Sequence, residues 1–338
     1  MRCFCLLALF SLLTSGCIRT AVVKFWEPAA IDVSSLNQLA VLEFQGNEGK
    51  SIAATLSSQL WENEFYTIVD PAPLSRELQL ASYEEGGIHD VNFHEFLAPA
   101  RAQGIDGVVM GEVVEYQCQD QQVRRVGMAI SSGGTPNRSG TGGIGGEFRE
   151  NVVREGVVTI SFRLIDVETG EIRAAHQVSH RYTGDSEVVA GKLPSQAEVL
   201  DGLTQKCLEE IVEMLAPHEA TCRIQLATCD VWTRGRRDVK EGNRHAIEGD
   251  WELAEKQWQA AVDKEPRNHA ALFNLAVAAD HRHDYAAAEE FAMQALRLQH
   301  KTCYTSGLDT IRSHRGAAEK SEEQRDARAV TSMEEEWR

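Results

Sequence analysis

Two stretches near the carboxyl end of this chain repeat each other at a fixed offset of 34 residues. Gly242, Asp250, Trp251, Ala254, Ala261 and Val262 recur as Ala276, Asp284, Tyr285, Ala288, Ala295 and Leu296. A period of this length belongs to stacked helical units, none of which can cover its own apolar face alone. The small residues let two helices cross closely, and Trp251 and Tyr285 fill the gap where the second helix of each unit starts. Trp258, Phe273, Leu275 and Phe291 supply the rest of the packing, and Pro266 closes the first unit. Two units leave an end face uncovered, so a capping helix is expected from Tyr304 to about Arg328, with Leu308 and Ile311 as its contacts.

The period and Pro266 together resemble the tetratricopeptide repeat (TPR). That resemblance implies two TPR units over residues 235–300, then a capping helix and acidic tail over 301–338. It also implies a concave face that holds an extended peptide or a partner's helix. Asn243, Asn274 and Arg282 are the candidate polar contacts on that face.

The amino end has its own order. Arg2 is followed by the apolar run Cys3 to Leu13, then by small residues and Cys17, which is the order of a secretory signal too short to span a bilayer. Leu13-Thr14-Ser15-Gly16-Cys17 resembles the lipoprotein box of bacteria, with Thr14 where a leucine is usual. The resemblance implies removal of a signal peptide, residues 1–16, and a diacylglyceryl, triacylated Cys17 that anchors the chain to a membrane. Ile18 after the cysteine is similar to the pattern that sends such proteins to the outer membrane, facing the periplasm. Ala21 to Ser35 has no clear period, so residues 17–35 are expected to be a tether.

Between tether and repeats the pattern alternates. Leu39–Phe44 is a compact apolar strand, and Ile52, Ala53, Leu56, Leu60 and Trp61 recur at helical spacing. Tyr66–Val69 reads as a strand stopped by Asp70-Pro71, and Leu74, Leu78 and Leu80 suggest a short helix. Phe93, Phe96, Leu97 and Ala100 form another amphipathic set, which Pro99 must kink or shorten. Val108–Val114, Val157–Val167 and Ile172–Val178 are further strands, the last two joined by a turn at Glu168-Thr169-Gly170-Glu171. Ala197–Leu215 is a long amphipathic helix that carries Cys207 on its apolar stripe. The fold class predicted is α/β, a mixed sheet with covering helices, followed by an all-α helical-repeat domain.

Four strings carry a resemblance to the CsgG/LpoB/TolB-N-like group of envelope proteins. They are Leu39-Ala40-Val41-Leu42-Glu43-Phe44, Tyr66-Thr67-Ile68-Val69-Asp70, Gly104-Ile105-Asp106-Gly107-Val108-Val109-Met110-Gly111 and Leu164-Ile165-Asp166-Val167-Glu168-Thr169-Gly170-Glu171-Ile172. The group is defined by its scaffold, so no catalytic residue is implied. On this reading the α/β domain spans 36–228 and carries a polar insertion, 119–156, glycine-rich from Gly133 to Gly146. A membrane hairpin needs about ten residues of sustained alternation per strand. Val123–Ile130 is shorter than that and carries Arg124 and Arg125, so a surface loop is expected.

Composition narrows the function classes. A formal net charge of −17 argues against nucleic acid or anionic lipid as the main partner. Five cysteines follow Cys17: Cys118, Cys207, Cys222, Cys229 and Cys303. That number is odd and no CxxC occurs, so at least one stays free or pairs between chains. A bridge from Cys222 to Cys229 would need Arg223–Thr228 to turn, and that stretch lacks turn residues. Gly46-Asn47-Glu48-Gly49-Lys50-Ser51 stands where a phosphate loop would, but only two residues separate its first glycine from Gly-Lys-Ser and Glu48 would repel an anion. His89, His94 and Glu95 do not share a face, and no nearby histidine marks any cysteine in the sequence.

The sequence therefore predicts no enzyme, no cofactor and no metal. It predicts an outer-membrane lipoprotein that scaffolds or assembles by binding another envelope protein or peptide in the TPR groove; a homo-oligomer fits the same reading. The alternatives are an oligomeric secretion-channel subunit and, third, a nucleotide hydrolase using Lys50 and Ser51.

Overall fold

The computed structural model describes residues 19–31, 33, 35–71, 97–128, 146–186 and 193–336. Cys17, the region of Leu74, Leu78 and Leu80, His89, Phe93, His94, Glu95 and Phe96, and the insertion from 129 to 145 lie outside the described residues. The chain divides into two compact units, Ala29–Ala216 with Ala327–Arg338, and Met1–Pro28 with Pro217–Asp326.

The strands are β1 (Thr20–Glu27), β2 (Gln38–Val41), β3 (Thr67–Val69), β4 (Gly107–Met128), β5 (Gly146–Asp166), β6 (Ile172–Asp185) and β7 (His218–Gln225). The helices are α1 (Gly49–Glu62), α2 (Ala98–Ala102), α3 (Gln196–Leu215), α4 (Arg236–Ile247), α5 (Trp251–Lys264), α6 (His269–His281), α7 (Tyr285–Leu298) and α8 (Thr302–Glu336).

The first unit is built on a five-stranded mixed sheet of order β3-β2-β4-β5-β6. β2 runs parallel to β3 and β4, while β4-β5 and β5-β6 are antiparallel. Alternation in β2 sends Leu39 and Val41 to a core shared with Leu56 and Leu60 of α1 and with Leu203, Cys207 and Ile211 of α3. Ala40 and Leu42 go to the opposite core, with Leu97, Ala100 and Ile105. Helix α3 begins one residue before the sequence reading places it, because Ser195 and Glu198 close a reciprocal capping box. The aspartates of the two family-like strings fix the sheet ends. Asp106 Oδ2 accepts from the backbone N–H of Asn37 and Gln38, both at 2.8 Å. Asp166 accepts from Thr169 N–H at 2.9 Å and from the Arg173 guanidinium at 2.6 Å, and Gly170 takes the left-handed φ of 73° that the turn requires.

Three boundaries differ from expectation. Residues 119–128 and 146–156 are not loop: β4 and β5 pair continuously out to Met128 and Gly146. Gln119, Asp120, Gln121, Gln122 and Arg124 on this part of β4 are exposed, so polar residues serve there as well as apolar ones. Residues 17–35 are not simply a tether either. Thr20–Glu27 pairs along its whole length with His218–Gln225, which buries Ala21 and Val23. The partner strand lies almost two hundred residues away, so no local period announces the pairing. The same contact moves residues 217–228 out of the α/β unit into the unit of the repeats.

That second unit consists of the β1–β7 ribbon and helices α4 to α8. Asp250 and Asp284, one period apart, cap α5 and α7 by accepting from Leu253 and Ala287 N–H. Ala254, Ala261, Ala288 and Ala295 are wholly buried, and the wholly buried Trp258 ring fills the space over Gly242. Trp251 stacks on His281 at 4.3 Å, and Tyr285 stands beside His283. Pro266 lies exposed in the α5–α6 turn. Ala276 packs with Ala288, Leu308 and Ile311, so the start of α8 covers the end of the second helix pair. Among the described residues no helix is long and apolar enough to cross a membrane.

Candidate functional site

The sequence reading sets Asn243 and Asn274 on a solvent-facing concave surface. Both are instead wholly buried, and what they hold is the chain's own backbone. After β7 the segment Leu226–Cys229 has no regular secondary structure and is fastened at its start by Leu226 N–H to the Arg19 carbonyl at 2.8 Å. It lies against α4 and α6. Asn274 accepts from Ala227 N–H at 2.7 Å and donates to the Ala227 carbonyl at 3.1 Å. Asn243 donates to that carbonyl at 2.9 Å and accepts from Trp258 Nε1 at 3.0 Å and Asn274 Nδ2 at 2.7 Å. A third asparagine, Asn268, is also wholly buried, caps α6, and accepts from Cys229 Sγ–H at 3.3 Å. An amide side chain has both a donor and an acceptor, and it can match both main-chain polar groups of one residue. The face therefore grips main chain without regard to side-chain identity. Arg282 stands apart, exposed and paired with Glu255.

A second polar centre lies in the same unit. His314 Nδ1 contacts Asp280 Oδ2 at 2.9 Å, His314 Nε2 lies 3.4 Å from Cys222 Sγ, and the Phe25 ring stacks on the imidazole at 3.9 Å. Asp280 and His314 are buried. Burial alone would lower the imidazole pKa, but the hydrogen bonds from Asp280 and Cys222, with Asp280's charge, outweigh it and raise it to about 9. The sequence reading finds no histidine near a cysteine; the fold supplies one across 92 residues. A signal exists: Asp280 and His314 are 34 residues apart, one period of the repeat.

The five described cysteines are free, Cys222 and Cys229 included. Burial pushes the Cys207 thiol up to about 11. Lys50 and Ser51 are exposed at the start of α1, and the Glu48 that precedes this helix takes a left-handed φ of 59°.

The sequence profile of a domain of unknown function, DUF6340, matches residues 240–329, under half of the chain. No curated protein matches the chain. Among solved structures, the PelC dodecamer from Paraburkholderia phytofirmans is 15% identical over 58% of this chain and 96% of that one, with a TM-score of 0.28. Lipoprotein GNA1162 from Neisseria meningitidis is 17% identical over 52% of this chain and 97% of its own, with a TM-score of 0.28. The second TPR of Spaghetti (RPAP3), bound to an HSP90 peptide, is 19% identical over 29% of this chain and 92% of its own, with a TM-score of 0.24. At such identities and scores neither a shared fold nor a shared activity follows.

Proposed function

We propose that this chain is a non-catalytic lipoprotein of the bacterial outer membrane, anchored at Cys17 and facing the periplasm. Its α/β unit is a CsgG/LpoB-like body, and its helical unit is a TPR pair that holds an extended segment of another envelope protein. The observation that carries this reading is the buried asparagine pair, which satisfies both the N–H and the carbonyl of Ala227. Such a grip takes backbone of any sequence. Here it is filled by Leu226–Cys229, so a partner strand competes with the chain's own for the same two amides. The anchor raises the partner's effective concentration by confining both to one surface.

The test uses Ala227→Pro, which removes the N–H that Asn274 accepts and leaves both asparagines in place. A synthetic peptide of residues 222–231 is expected to bind this variant and not the wild type, as read by calorimetry. A variant that keeps its helical circular dichroism and binds no peptide would refute the groove. Mass spectrometry of protein purified from its own membranes reads the anchor separately: Cys17 without acyl groups would refute that half. The long β4–β5 ribbon favours a second reading, a secretion-channel subunit, for which ring-shaped particles with bilayer conductance are the evidence required.

A further inference from the structure

The part of the helical unit that holds Arg19 combines an exposed aromatic tip with a cluster of cations. Arg19, two residues after Cys17, lines a cavity of about 260 Å³ together with Arg236 and Lys240. The turn that follows the groove segment carries Val231 at 68% exposure and Trp232 at 94%. Arg234 and Arg237 flank it, both exposed. The nearby acids are partly engaged: Lys264 holds Asp238 at 2.8 Å and Arg244 holds Glu241 at 2.7 Å, while Asp230 is exposed at the turn. A tryptophan with so little protein around it gains by entering the boundary between headgroups and acyl chains, where its ring is apolar and its N–H stays wet.

We propose that this surface seats the helical unit on the membrane. Val231 and Trp232 enter the interface, and Arg19, Arg236 and Lys240 take the phosphate of anionic glycerophospholipid headgroups. The inference rests on the lipid anchor for its biological setting and on the exposed side chains for its physics. The chain's charge of −17 does not oppose it, because at physiological salt charges farther than about 8 Å from the headgroups are screened. In the sequence only Ile18 stands between Cys17 and Arg19, which lines this cavity.

The experiment takes the unacylated chain starting at Ile18, which retains every described residue, and measures co-sedimentation at physiological ionic strength. The vesicles are phosphatidylglycerol or phosphatidylcholine alone. Binding to the anionic vesicles is expected, with a blue-shifted tryptophan emission. Trp232→Ser should remove the blue shift. Arg236→Glu/Lys240→Glu should weaken binding about tenfold or more, since each interfacial cation is worth a several-fold factor. All three positions are exposed, so folding is not at stake, and circular dichroism checks it. Equal binding by wild type and both variants would overturn the proposal. So would binding of inorganic phosphate with no binding to vesicles, or no vesicle binding at all. An unacylated Cys17 in the native protein, with vesicle binding intact, would remove the anchor and leave the seating surface standing.

Discussion

The charge on His314 should make the helical unit's stability fall across the mildly alkaline range. The imidazole is buried, its folded pKa is about 9, and its ordinary value is 6.5. A group whose folded pKa lies above its unfolded one contributes stability fully present below about pH 6.5 and lost as pH rises through about 9. The shift corresponds to about 3 kcal/mol at the acidic end of that window. The reference is Asp280→Asn/His314→Gln, which keeps neutral hydrogen-bonding groups in both places and abolishes the titration. Single substitutions are poorer references, since either leaves a buried charge unpaired at a cost of several kcal/mol. Urea unfolding of both proteins, followed by circular dichroism at about pH 6, 7.5 and 9.5, reads the difference. Wild-type stability relative to the double variant is expected to drop by about 3 kcal/mol over that span. If the two proteins lose stability in parallel, His314 is not charged in the folded state and the reasoning fails.

Gly242→Ala should destabilise the helical unit despite the better helix propensity of alanine. The new Cβ would lie 2.5 Å from Nε1 of a Trp258 ring that is wholly buried and tied to Asn243, so overpacking of about 1–3 kcal/mol outweighs a gain of about 1 kcal/mol, and thermal unfolding should show a lower midpoint. The Cys207 thiol, buried in the α/β core and pushed up to about 11, should resist maleimide until that unit unfolds; labelling within minutes in native buffer would contradict the packing.

What the sequence disclosed and what it hid divide by distance along the chain. The strands around Leu39, Val109 and Ile160 and the helix carrying Cys207 were legible because each is specified by its own alternation or helical stripe. The matched caps at Asp250 and Asp284 were legible as a period. β1 carries little local signal: Ala21 and Val23 are buried, but Val22 between them is exposed at 48%, which leaves an apolar run without a clear phase. Its partner β7 gave no signal either, with Arg223 between Cys222 and Ile224 as an ordinary exposed residue. The burial of Asn243 and Asn274 is hidden in the sequence for a related reason. A polar side chain is read as solvated unless its partner is visible, and the partner here is a main-chain amide, which every residue but proline possesses.

Carrying the period one step further explains where the pH sensitivity should be confined. Ala246, Asp280 and His314 occupy equivalent places on α4, α6 and α8, 34 residues apart. The first of these is a buried alanine, so no charge pair links α4 to α6 at that level. The pair links only α6 to α8, and Cys222 and Phe25 draw the β1–β7 ribbon into the same contact. Deprotonation at about pH 9 is expected to weaken the hold on α8 and the ribbon first, and the α4–α5 contacts around Trp258, which include neither member of the pair, only after them. The ribbon leads directly into the segment whose Ala227 the asparagines grip. Loss of the His314 charge is thus expected to loosen the groove's own occupant along with the cap, and amide exchange at Ala227 and in the first turns of α8 should quicken together over that window, ahead of α5. The repeat period also places a titrating histidine where it bears on the groove.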